Sequence, residues 1–109
     1  MRAKPKESEA ELQLAICDYL ALKKYVFWRQ NNLSVYDPTR KVFRSMPKYA
    51  MAGVSDIILL LDRRAWFIEV KIPTGKQSEN QKKFQEMVEK TGNFYCIITS
   101  LDDLLKLGF

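Results

Sequence analysis

Three charged side chains occupy segments where charge is costly. In Trp66-Phe67-Ile68-Glu69-Val70-Lys71-Ile72 a carboxylate and an ammonium stand two residues apart in an otherwise apolar run. Strand alternation sends Trp66, Ile68, Val70 and Ile72 to one face, and Phe67, Glu69 and Lys71 to the other. A charge buried there without a partner costs several kcal/mol. The preceding apolar run, from Gly53 to Leu61, carries Asp56, and Asp62-Arg63-Arg64 reads as a tight polar turn between the two. A hairpin at that turn pairs residues whose numbers sum to about 126, which brings Asp56 near Val70 and within reach of Glu69 or Lys71.

Two carboxylates in a partly buried site repel unless a proton or a cation lies between them. A hard divalent ion, Mg²⁺ or Mn²⁺, answers that need, because it prefers oxygen ligands and keeps several waters. A neighbouring lysine can then orient or deprotonate a water and stabilise charge on a phosphoryl oxygen. This is minimal equipment for phosphodiester hydrolysis. A plainer reading also fits the spacing: Glu-x-Lys on an exposed face is a weak solvated pair, and an Asp soon after a Gly is ordinary turn chemistry. Spacing alone leaves both open.

The elements that must hold these residues follow from periodicity. Leu12, Ala15, Ile16, Tyr19 and Leu20 recur at helical spacing over residues 9–22, and Ser8 with Glu11 reads as a capping box. Tyr25 to Gln30 is strand-like, and residues 31–52 read as a loop with a short ribbon around Val35 and Val42. Strands are expected over 54–61 and 65–72, broken by Pro73-Thr74-Gly75. Ser78 and Gln81 form a second capping box, ahead of a helix that turns Phe84, Met87 and Val88 inward and stops at Gly92. Phe94 to Thr99 reads as a buried strand, and Ser100 caps a last helix with Leu101, Leu104 and Leu105 on its apolar side. The order is α-β-β-β-α-β-α, an α/β domain with a mixed sheet flanked by helices. Residues 1–8 form a basic arm, and 9–109 a single domain.

Composition narrows the chemistry. The 109 residues contain no histidine, which excludes Ser-His-Asp and Cys-His nucleophiles, His-ligated zinc and histidine bases. Cys17 and Cys96 lie far apart in apolar segments and fit buried reduced thiols, and no apolar run is long enough for a signal sequence or a membrane span. A cytoplasmic protein without a membrane partner is expected. Lys and Arg number 18 against 13 Asp and Glu, a formal charge of +5 that points to an anionic partner. The excess lies wholly in residues 1–54, concentrated between Lys23 and Lys48, where Trp28, Tyr36, Phe43 and Tyr49 are interleaved. Such a stretch suits contacts to nucleic-acid backbone, whereas for any single residue there a solvated loop is the simpler explanation.

Gly53-Val54-Ser55-Asp56-Ile57-Ile58, then Phe67-Ile68-Glu69-Val70-Lys71, then Gly75 with Ser78-x-x-Gln81, resembles the PD-(D/E)XK nuclease superfamily and, more closely, the VRR-NUC (virus-type replication-repair nuclease) family. The resemblance runs from the first helix to the last, and Ser55 departs from it where the family usually has proline. It implies a restriction-endonuclease-like αβββαβ core and a Mg²⁺- or Mn²⁺-dependent endodeoxyribonuclease. Asp56 and Glu69 would be metal ligands, the Val70 carbonyl would complete the shell, and Lys71 would be the catalytic lysine. The family also uses a glutamate of the first helix. Glu7, Glu9 and Glu11 compete for that role, and the E-x-x-L-Q arrangement favours Glu9, with Gln13 beside it as a supporting or phosphate-contacting residue.

Gln81 has two readings, completion of the Ser78 cap or an amide facing the active site. Ser78 and Lys76 lie near the same edge and could touch phosphate. Arg29, on the strand beside the active-site strand in the family's arrangement, joins Arg40, Lys41, Arg44, Lys48 and Lys76 as expected DNA contacts. Stand-alone members of the family resemble junction-resolving enzymes. This implies a bacterial or phage-encoded homodimer acting on four-way (Holliday) junctions, since two opposed cuts need two sites. A flap, single-strand or restriction-like nuclease, and a non-catalytic basic nucleic-acid-binding domain, remain open alternatives.

Overall fold

The computed structural model of the chain describes residues 7–30, 36–37, 42–43 and 48–109. Helix α1 spans Glu9–Leu22, and strand β1 spans Val26–Arg29. The ribbon strands β2 (Tyr36–Asp37) and β3 (Val42–Phe43) follow, paired antiparallel to each other. Next come β4 (Ile57–Leu61), β5 (Arg64–Val70), α2 (Glu79–Lys90), β6 (Phe94–Ile98) and α3 (Leu101–Lys106). The main sheet has the order β1-β4-β5-β6. Its first two pairings are antiparallel and the last is parallel, the crossover from β5 to β6 being made by α2. Apart from the ribbon inserted after β1, this is the expected α-β-β-β-α-β-α series.

Local chemistry accounts for the boundaries. The Ser8 and Ser100 hydroxyls cap α1 and α3, accepting from the Glu11 and Asp103 N–H groups at 3.1 and 3.2 Å. The β4–β5 turn has two central residues, Asp62 and Arg63, at φ 54° and 63°, as a two-residue primed hairpin requires. Arg64 is therefore already in β5, and partners sum to 125, as in Ile57 with Ile68. One face of the sheet carries Ile57, Leu59, Ile68, Val70 and Ile98, which pack with Leu12, Ile16, Cys17 and Leu20 of α1 and Leu104 of α3 into the main core. Trp66 stacks on Phe94 at 4.2 Å and meets Phe109 edge-on at 4.9 Å, closing one end of it. On the other face, Phe84 of α2 packs edge-on against Phe67 at 5.3 Å and Tyr95 at 6.2 Å.

Several expectations are corrected. Strand β4 starts at Ile57 rather than Val54, because Gly53 takes φ 78° and the chain bends through Asp56 before entering the ladder. Strand β5 ends at Val70 rather than Ile72, although the Lys71 N–H still donates to the Ile98 carbonyl at 3.0 Å. Strand β6 is an edge of the main sheet, not a buried strand, with Phe94 and Ile97 43% and 41% exposed. Met87 and Leu105 are likewise exposed, while Phe84, Val88 and Leu104 point inward. A short helix can hide only one narrow stripe, and these two residues lie beside it. Cys17 and Cys96 are both free thiols, and burial pushes Cys96 up to about 12. Among the described residues no helix is long and apolar enough to cross a membrane.

Candidate active site

The register of the β4–β5 hairpin puts Asp56, just ahead of β4, level with the end of β5. Its carboxylate is held by the backbone: Oδ2 accepts from the Val70 N–H at 2.8 Å. Its own carbonyl accepts from the Gln30 N–H at 2.7 Å, which ties the bend to the end of β1. Glu69, the next residue back along β5, faces the α2 side and is only 2% exposed. Its Oε1 accepts from Gln81 Nε2 at 2.8 Å and lies 3.8 Å from Lys71 Nζ. Its Oε2 is buried without a hydrogen-bond partner. Burial first, and the Asp56 carboxylate second, push Glu69 up to about 8, against the pull of Lys71; a hydrogen bond that a protonated Glu69 shares with Asp56, and then Glu9, add to the rise. The pair therefore demands either a shared proton or a cation.

A cavity of about 760 Å³ opens beside this pair. Glu9 and Gln13 of α1 line one wall, Arg29 and Gln30 a second, and Gly53, Val54 and Asp56 a third. Ser78, Asn80 and Gln81, at the start of α2, complete it. Glu69, Val70 and Lys71 do not line it: Glu69 is joined to it through the hydrogen bond from Gln81, and Lys71 through its ion pair with Glu69. Residues from five separate stretches of chain thus converge: the first turns of α1, the end of β1, the bend before β4, the end of β5 and the first turn of α2.

Gln81 does both things its two readings proposed. Its Oε1 accepts from the Ser78 N–H at 2.9 Å while Ser78 Oγ accepts from the Gln81 N–H at 3.2 Å, a complete capping box. Its Nε2 is left to hold Glu69. Lys48 and Lys76 are exposed and do not line the cavity, the Lys48 ammonium lying 5.1 Å over the neighbouring Tyr49 ring. Arg40, Lys41 and Arg44, and most of the expected N-terminal arm, lie outside the described residues. Sequence reasoning passed over Gln30 and Asn80 as cavity residues, and Gly53 entered it as the opening of a strand and of the Gly53-to-Ile58 motif rather than as cavity lining. The signal for Asn80 was its place at the second position of a capped helix already tied to the site by Gln81. Tyr95, on the same face of the sheet as Glu69, does not line the cavity. Its hydroxyl accepts from Gln77 Nε2 at 3.2 Å, and burial raises it to about 12 against the opposing pull of that hydrogen bond, with Glu69 and Asp56 adding to the rise.

Among the described residues no group of three or more His, Cys, Asp or Glu side chains is gathered as a metal cluster. What the site offers an ion is narrower: the Asp56 and Glu69 carboxylates, the second with its Oε2 buried and without a hydrogen-bond partner. That donor set fits a hard ion that takes one or two carboxylates and keeps its remaining waters. No family model and no curated protein sequence matches the chain. Among solved structures it is similar to a "VRR_NUC domain protein", with a TM-score of 0.70 and 18% identity over 95% of this chain and 87% of that one. The chain has a restriction-endonuclease-like fold. In this chain the bend before β4, the end of β5 and the first turn of the crossover helix α2 carry the acidic pair and the glutamine that touches it.

Proposed function

We propose that this protein is a metal-dependent, structure-specific DNA endonuclease that hydrolyses phosphodiester bonds in four-way junctions as a homodimer. The observation that carries the reading is Glu69, a buried carboxylate beside Asp56 and Lys71 with one oxygen unpartnered. A simple Glu–Lys ion pair would not set a second carboxylate, Asp56, against the buried Glu69, an arrangement that needs a proton or a cation between the two. The likeness of fold to a VRR_NUC domain protein supports the same chemistry.

Asp56 and Glu69, with the Val70 carbonyl as a further donor, would hold Mg²⁺ or Mn²⁺, which supplies Lewis-acid polarisation of the phosphodiester when bound, while Glu9, on the cavity wall but not gathered with them, would reach the ion through a water. The Val70 N–H fixes one Asp56 oxygen and leaves the other for ligation. Lys71 is a cation 3.8 Å from Glu69, suited to orienting the attacking water and stabilising negative charge on the phosphoryl group. Arg29, on the cavity wall, would contact a backbone phosphate, and the positive first half of the chain would hold the flanking DNA. No recognition helix enters this scheme, so specificity would come from DNA shape rather than base sequence. Two opposed cuts in a symmetric junction call for two copies of the site, which a two-fold dimer supplies.

The test compares synthetic four-way junction, flap, single-stranded and linear duplex DNA in Mg²⁺ or Mn²⁺. Junction cleavage is expected to dominate, and Lys71→Ala is expected to lower it by about 10²-fold or more while DNA binding persists. Equal cutting of linear duplex would sink the junction assignment, and binding without cleavage by the wild-type protein would make this a basic nucleic-acid-binding domain.

A further inference from the structure

The first turn of α2 touches both carboxylate-bearing segments. The close approach at Gly53 is backbone against backbone: a Cβ there would overlap the Asn80 carbonyl, so only glycine lets the Asp56 bend lie this near the helix. One residue further along the helix, Gln81 meets Glu69. The amide of Gln81 has a single orientation that satisfies its surroundings, because one end faces the Ser78 N–H, a donor, and the other faces a carboxylate. Turned over, it would set NH₂ against N–H and carbonyl against carboxylate.

We infer that Gln81 is a positioning residue for the cation site, its amide locked by the α2 cap so that it holds Glu69 Oε1 and leaves Oε2 free to ligate. This inference rests on the nuclease reading above and extends it, because it makes a helix cap part of the site. The cap fixes the carbonyl end of Gln81, the carbonyl end fixes the amide nitrogen, and the nitrogen fixes which Glu69 oxygen remains available. Groups that orient metal ligands in this way are commonly worth 10- to 100-fold in metal affinity. The helix itself does not depend on the arrangement to the same degree. The Ser78 Oγ half of the cap bonds the backbone N–H of position 81 and survives any side chain there.

The experiment measures Mn²⁺ binding by calorimetry at fixed pH, beside thermal melting and cleavage over a range of Mn²⁺ concentrations. Gln81→Met keeps the length of the side chain and removes both hydrogen bonds. Gln81→Ala is the second variant should the first not fold. Lys83→Gly loosens the same helix at an exposed position remote from Glu69. Gln81→Met is expected to weaken Mn²⁺ binding about tenfold or more, with a cleavage defect that shrinks as Mn²⁺ is raised. Lys83→Gly is expected to lower the melting temperature while keeping Mn²⁺ affinity within about twofold of wild type. Unchanged Mn²⁺ affinity in Gln81→Met, or an equal loss in Lys83→Gly, would overturn the inference alone. A wild-type protein that neither binds Mn²⁺ nor cuts DNA would overturn the nuclease reading, and the inference with it.

Discussion

The two faces of the central sheet are built to different ends. Toward α1 and α3 the side chains of Ile57, Leu59, Ile68, Val70 and Ile98 are almost wholly buried and entirely apolar. Toward α2 the sheet presents Phe67 and Tyr95 and then Glu69, the one buried charge among the described residues. Val70 and Glu69 are neighbours on one strand, and alternation alone sends one to each face. The first face closes on itself and supplies cohesion. The second spends part of that stability on a carboxylate that has one oxygen unsatisfied. Function here is an interruption of packing, confined to the face that can bear it.

The largest contrast is between substitutions at adjacent positions. Ile68→Ala, on the closed face, is expected to cost about 2–5 kcal/mol in denaturant titrations while sparing the metal-binding groups. Glu69→Gln, one residue on, is expected to raise stability at pH 8, since it removes a buried charge, and to abolish cleavage. A large loss of stability in Glu69→Gln would erase the distinction between the faces.

A smaller effect should separate them by pH. In the folded protein without metal Glu69 titrates at about 8, against 4.5 for an unperturbed glutamate, so the folded state holds the extra proton between those values. The stability this group contributes is therefore complete below about pH 4.5 and falls as pH rises to about 8, by at most about 1.4 kcal/mol per pH unit. Urea midpoints at pH 6 and pH 8 should show this slope in metal-free wild type and lose it in Glu69→Gln. Saturating Mn²⁺ should flatten it, because a cation favours the ionised carboxylate. An identical slope in wild type and Glu69→Gln would assign it to another group.

The smallest effect concerns the helix that frames the polar face. Ser78→Ala removes one half of the α2 capping box and is expected to cost about 1 kcal/mol in thermal melting. No loss at all would mean that packing of Phe84 and Val88, rather than the cap, holds the start of α2 in place.

Much of this organisation was legible in the residues. The three serine caps, a tight turn within Asp62-Arg63-Arg64 (one residue shorter than read) and the alternation through Trp66 to Val70 are local features, and local sterics and hydrogen bonding are enough to produce them. Where reading failed, the cause was neighbours distant in sequence. Phe94 to Ile98 is apolar enough for a buried strand, yet nothing in it says that it will end a sheet. Gly53 reads as the start of a strand, because neither its positive φ nor its close approach to the Asn80 carbonyl, a contact made only after the fold closes, is written in the local pattern. Gln81 posed as a choice between cap and site, and only the placement of α2 against β5 allowed both.

From the sequence alone came the kind of chemistry: a chain without histidine, two carboxylates and a lysine on adjacent apolar runs, and a surplus of positive charge in its first half. Residue types and a period of two are intrinsic to the chain and survive any register. Tertiary structure decided which atoms meet. The hairpin register set the Val70 N–H on Asp56, the crossover brought Gln81 to Glu69, and four stretches of chain closed around one cavity. Those distances depend on packing between elements far apart in sequence, and a shift of one residue in the register would have turned Glu69 into the apolar core.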